Sequence, residues 1–118
     1  MQFQKSKLEP ITIELGGEKY PARLPFKALA ELEELTKMSF MTLFDKFATA
    51  SFTSNDLINI LYIALKYGGV EVEIDDLQEM EISSEVLRTV MDEIANLLKR
   101  TQKVVSQIQD HQKPDKKK

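Results

Sequence analysis

The sequence predicts a mainly α protein of the α+β class: an N-terminal β-hairpin packed on a bundle of about four to five helices, with a long C-terminal helix and a disordered tail. Three observations predict it. Residues 10–24 alternate apolar and polar around a Gly-Gly pair, the chain after residue 25 carries apolar stripes at helical spacing, and from His111 onward it is basic with no apolar side chain. At 118 residues there is room for one modest core. Residues 1–109 are therefore read as a single globular domain, with the hairpin at 10–24 and helices from 25 onward, and 110–118 as a disordered basic tail.

In the hairpin, Ile11, Ile13 and Leu15 share one strand face, and Thr12 and Glu14 share the other. Gly16-Gly17 supplies the positive φ angles of a two-residue turn. With that pair as the loop, Ile13 faces Tyr20, Ile11 faces Ala22, Glu14 faces Lys19, and Glu18 falls opposite Leu15. Pro21 has no N–H to donate, so its strand is an edge there. An isolated two-stranded hairpin is marginal in water, so this one must lie on the helices that follow.

Pro25 opens a first helix in which Phe26, Leu29, Leu32 and Leu35 recur every three residues beside Glu31, Glu33 and Glu34. After a break near Lys37, Ser39 caps a second helix with Phe40, Leu43, Phe44, Phe47 and Ala48 on one stripe. Ser54 or Asn55 is expected to cap a third, apolar nearly all round from Leu57 to Leu65 and ended by Gly68-Gly69, which makes it the expected centre of the core. A short helix is expected around Asp75 to Met80. Ser83 or Ser84 then caps the long final helix, whose stripe runs Leu87, Val90, Met91, Ile94, Leu97, Leu98, Val104, Val105 and Ile108.

Composition removes whole classes of chemistry. There is no Cys, hence no disulfide, thiolate nucleophile or cysteine zinc site, and the one His lies in the tail, where nothing rigid holds it for catalysis. The carboxylates from Glu71 to Glu85 lack the Asp-x-Asp-x-Asp-Gly pattern of a calcium loop and read as a solvated acidic surface. Neither Gly pair has a phosphate-binding context, and no catalytic, cofactor or metal residue is assigned. The tail carries +2, so with the chain at −3 the body carries −5, which disfavours nucleic acid as a partner. The most apolar stretch, Leu57 to Leu65, is too short to cross a bilayer, and the first ten residues do not read as a secretory signal, so a cytoplasmic protein without membrane contact is expected.

What remains is surface for another protein. Val104, Val105 and Ile108 carry the last stripe beyond where a small core covers it, so they meet either their own domain or a partner. Together with Leu97, Leu98, Met41 and Phe44 they are the candidate partner-binding residues, although methionines such as Met41 are more often core filler. An edge strand and a protruding helix also allow homo-oligomers without fixing a number.

The run Ile11-Thr-Ile-Glu-Leu-Gly-Gly-Glu-Lys-Tyr-Pro-Ala-Arg-Leu-Pro-Phe-Lys-Ala-Leu-Ala-Glu-Leu-Glu-Glu-Leu-Thr36 resembles the start of the small tail assembly chaperones of long-tailed bacteriophages and prophages. Gly17, Tyr20, Leu24, Phe26, Ala28, Leu29, Leu32 and Glu33 carry the likeness, which continues through Phe40–Leu43 and the apolar helix 56–66. One departure is Lys37, where the family commonly has Gly. The resemblance implies a non-enzymatic protein of the bacterial host cytoplasm, absent from the mature virion. It implies binding and solubilising of the tape-measure protein, recruitment of tail-tube protein, and no cofactor. The competing reading from the residues is a small regulatory or nucleic-acid-binding helical protein, which lacks a helix of clustered Arg or Lys here.

Overall fold

A computed structural model describes residues 8–112, with side chains through Ser106. In chain order the elements are β1 (Ile11–Leu15), β2 (Glu18–Ala22), α1 (Phe26–Thr36), α2 (Phe40–Ala48), α3 (Ser54–Tyr67), α4 (Ile74–Gln78) and α5 (Ser84–Gln112). The predicted α+β architecture is the observed one. β1 and β2 pair antiparallel in the expected register, Ile11 opposite Ala22 and Ile13 opposite Tyr20, with Gly16 and Gly17 at φ +57° and +83°. The helix α5 runs through Asp110, His111 and Gln112, three residues into the expected tail, and 113–118 lie outside the described residues.

The hairpin is wedged between two helices: β1 lies against α5 and β2 against α3. Ile13, Leu15 and Ala22 are thereby buried, together with Ile60, Ile63, Ala64 and Leu65 of α3 and Val90, Ile94, Leu97 and Leu98 of α5. The remaining helices dress this centre, α1 and α4 on α3 and α2 on α5. The edge that Pro21 leaves open is closed by α3. The Arg23 N–H donates to the Ala64 carbonyl at 3.0 Å, and Gly68 comes so close that a Cβ there would sit 2.1 Å from the Pro21 carbonyl oxygen. The end of α3 is a Schellman turn, with Gly69 at φ +96°, Gly69 N–H donating to the Lys66 carbonyl and Val70 N–H to that of Leu65.

Two sequence expectations are corrected. Thr53, rather than Ser54 or Asn55, caps α3: its hydroxyl accepts from the Asp56 N–H at 3.1 Å, while the Asp56 carboxylate accepts from the Thr53 N–H at 2.9 Å. In α1 the buried stripe is Ala28, Leu29 and Leu32, while Phe26 and Leu35 are exposed. A repeat of three lags an α-helix by about 60° per step, so Phe26 and Leu35, three steps apart, point roughly 180° apart and cannot share one face.

Carboxylates stitch successive helices together. Glu33 of α1 accepts from the Phe40 N–H that opens α2 at 2.8 Å, beside Ser39, which caps that helix as expected. Buried Asp56 also meets Lys46 of α2 at 3.2 Å. Burial pushes the Asp56 carboxyl up, but the Thr53 N–H and the Lys46 ammonium together hold it below its ordinary value.

Two outcomes are expected. Gly68→Ala lowers stability by about 1–3 kcal/mol in chemical denaturation, because the new methyl meets backbone that must shift. The depressed Asp56 contributes stability that is fully present above its unfolded value and is lost as pH falls through the lower folded one. Acid titrations of stability are therefore shallower for Asp56→Asn than for the parent below about pH 4.

Candidate partner-binding groove

The turn from β2 into α1, the end of α3 and the later part of α5 leave a groove of about 480 Å³ between them. Its position follows from Leu24-Pro25-Phe26: the strand ends, Pro25 cannot continue the ladder, and Phe26 starts α1 on the side away from the core stripe. Buried Leu24, Leu29 and Thr101 form its inner side. Phe26, Tyr67, Val104 and Val105 wall it, and Leu8 edges it. Phe26 is 62% exposed and Leu8 50%, the two most exposed large apolar side chains among the described residues.

Two guanidinium groups stand among these apolar walls. Arg23 Nη1 donates to the Leu8 carbonyl at 2.6 Å, and Arg100 Nη1 donates to the Glu9 carbonyl at 2.7 Å. They thus hold the segment leading into β1 along the groove. The Arg100 Nε is buried without a hydrogen-bond partner. The ion pairs among the described residues are Lys37–Glu34, Lys46–Asp56 and Lys66–Glu31, so neither arginine belongs to one, and no carboxylate lines the groove.

Tyr67 is fixed from behind. Glu31 of α1 accepts from the Tyr67 hydroxyl at 2.7 Å and from Lys66 Nζ at 2.6 Å. Lys66 first and then Tyr67 hold the Glu31 carboxyl below its ordinary value, and Glu31 in turn raises both Lys66 and Tyr67. The bracket ties α1 to α3, and with it the two walls that Phe26 and Tyr67 provide.

A second, shallower cleft of about 680 Å³ lies beside α3 and α4, edged by Tyr62, Lys66 and the carboxylates Glu71, Glu73 and Asp76. Among the described residues no group of three or more His, Cys, Asp or Glu is placed to hold a metal ion, and no helix is long and apolar enough to cross a membrane.

The sequence-predicted partner residues divide sharply. Val104 and Val105 line the groove. Leu97 and Leu98 do not reach a surface: they are 0% and 1% exposed, within the core of a fold in which α5 packs on β1 and α2. Met41 and Phe44 are half-buried on α2, packed against the core and away from the groove lining. The Ile108 side chain lies outside the described residues. Sequence reasoning missed Leu8, Arg23, Phe26 and Arg100. For Arg100 there was a signal, since it shares the stripe of Leu97 and Val104 at i+3 and i−4 and interrupts an apolar face with a charge.

A family model described as phage tail tube protein, GTA-gp10, matches residues 10–103, which takes in the hairpin, every helix up to most of α5, and Arg23, Phe26 and Arg100. No curated protein and no solved structure matches the chain.

Truncation separates core from groove. Leu97→Ala is expected to cost about 2–5 kcal/mol of unfolding free energy, as a fully buried leucine does. Phe26→Ala is expected to stay within about 0.5 kcal/mol, as surface substitutions do, when both are followed by urea denaturation.

Proposed function

The chain belongs to the family described as phage tail tube protein, GTA-gp10, and from that premise we propose that it is a phage tail assembly chaperone acting in the bacterial host cytoplasm and absent from the mature virion. In this reading it binds apolar helical stretches of the tape-measure protein, keeps them soluble, helps recruit tail-tube protein around them, and performs no catalysis. One observation supports this above the rest: an open, apolar-walled groove with an exposed Phe26 on a protein that is otherwise acidic. An unassembled long helix with an apolar stripe aggregates, and a groove of this kind covers about two turns of such a stripe. The acidic exterior keeps the complex in solution.

A second reading is favoured by the family's description, namely that the chain is itself a subunit of the tail tube. The two differ in where the chain ends up. A chaperone is missing from purified particles, whereas a tube subunit is an abundant component of them.

Co-expression with the tape-measure and tail-tube proteins of the same phage tests the chaperone reading. The expected result is a soluble tape-measure complex that co-purifies with this chain, and a Val104→Asp variant that folds but leaves the tape measure insoluble. Tape measure that stays insoluble with the parent chain, together with the chain in finished particles, overturns it in favour of the tube subunit.

A further inference from the structure

Resting on the reading of the groove as the partner site, we propose that its occupant is an amphipathic helix presenting a carboxylate beside its apolar stripe, which Arg23 and Arg100 receive. The argument begins with desolvation. Any helix laid on Phe26, Val104 and Val105 covers both guanidinium groups, and a buried cation without a compensating acceptor is strongly unfavourable. A guanidinium has five N–H donors. Among the described residues each arginine has one hydrogen bond to a main-chain carbonyl, the Arg100 Nε has none, and neither group belongs to an ion pair.

Charged acceptors are missing from the groove lining itself. Its lining has no Asp or Glu, and Glu31, the carboxylate that holds the Tyr67 wall, is already engaged by Lys66 and Tyr67. The groove is thus a cationic spot on a body of net charge −5, and the charge complement it lacks must come from the partner. A carboxylate accepts two parallel N–H bonds from a guanidinium, which fixes register as well as sign. A neutral or basic apolar helix leaves the arginines covered and unpaired, so selection works by exclusion as much as by attraction.

The probe is a set of synthetic, fluorescently labelled helical peptides with one apolar stripe and a flanking Glu, Gln or Lys, titrated with the full chain. The Glu peptide is expected to bind about tenfold or more tighter than the Gln peptide and to weaken with added salt, whereas the Gln peptide does not. Arg100→Gln and, separately, Arg23→Gln are expected to erase that preference, while Phe26→Ala weakens all three peptides and keeps their order. Equal binding of the three peptides overturns the carboxylate assignment and leaves the groove as a partner site. Binding of none, with no tail protein co-purifying, removes the partner reading itself. A competitor made from residues 78–88 of this chain, where exposed Met80, Ile82 and Leu87 stand among Glu79, Glu81 and Glu85, covers the remaining occupant. Displacement of the Glu peptide by it, with self-association of the parent chain, overturns the proposal in favour of a second copy.

Discussion

A two-stranded sheet cannot bury its own apolar face, and the fold is organised around solving that problem for the hairpin. β1 leans on α5 and β2 on α3, so the hairpin joins two helices that are distant in sequence. Gly68 makes the arrangement geometrically possible, because only a residue without a side chain lets the end of α3 reach the Pro21 carbonyl. The helix α3 fits this central post because it has little polar face to keep wet, and α1 and α4 then cover its remaining apolar surface. Moving the hairpin would expose Ile13 and Ala22 and would also open the groove, whose inner side begins at Leu24, just past β2.

Polar groups in this protein work mainly at the junctions. Glu33 serves the first N–H of α2, Asp56 closes the cap of α3 while meeting Lys46 of α2, and Glu31 clasps Lys66 and Tyr67. Each carboxylate satisfies donors that a helix end or a packed side chain would otherwise leave open, and each joins two elements in doing so. Lys37 shows the same economy of position. It stands at φ +61° at the end of α1, the left-handed conformation that a helix end most often gives to glycine.

The groove contrasts with this pattern. Asp56 and Glu31 meet the opposite charges of Lys46 and Lys66, whereas Arg23 and Arg100 are directed to main-chain carbonyls of the segment before β1. Apolar walls, two arginines outside the ion pairs of the described residues and an exposed Phe26 in one concavity are costly features for a small domain to keep. Under the proposed function they serve a reversible contact with another protein, and the chain's own family is one of phage tails.

How much was legible in the sequence follows from the range of the forces. The hairpin register was readable because the Gly16-Gly17 turn and period-two alternation are local and allow one alignment. The breaks at Lys37 and Gly68-Gly69, and Ser39 as a cap, were readable for the same reason. The face of α1 was not, because a period of three fits an apolar stripe only approximately and packing on α3 chose Ala28 over Phe26 and Leu35. Nor could periodicity tell Leu97 and Leu98 from Val104 and Val105. All four lie on one continuous stripe, and what divides them is that Leu97 and Leu98 are enclosed in the core whereas Val104 and Val105 border the groove. The sequence by itself determined the elements, their order and the acidic body, since these depend on neighbours a few residues apart. Only the tertiary structure decided which apolar residues stay open and that Arg23 and Arg100, 77 residues apart in the chain, share one groove, because contacts at that separation are set by the packing of whole elements.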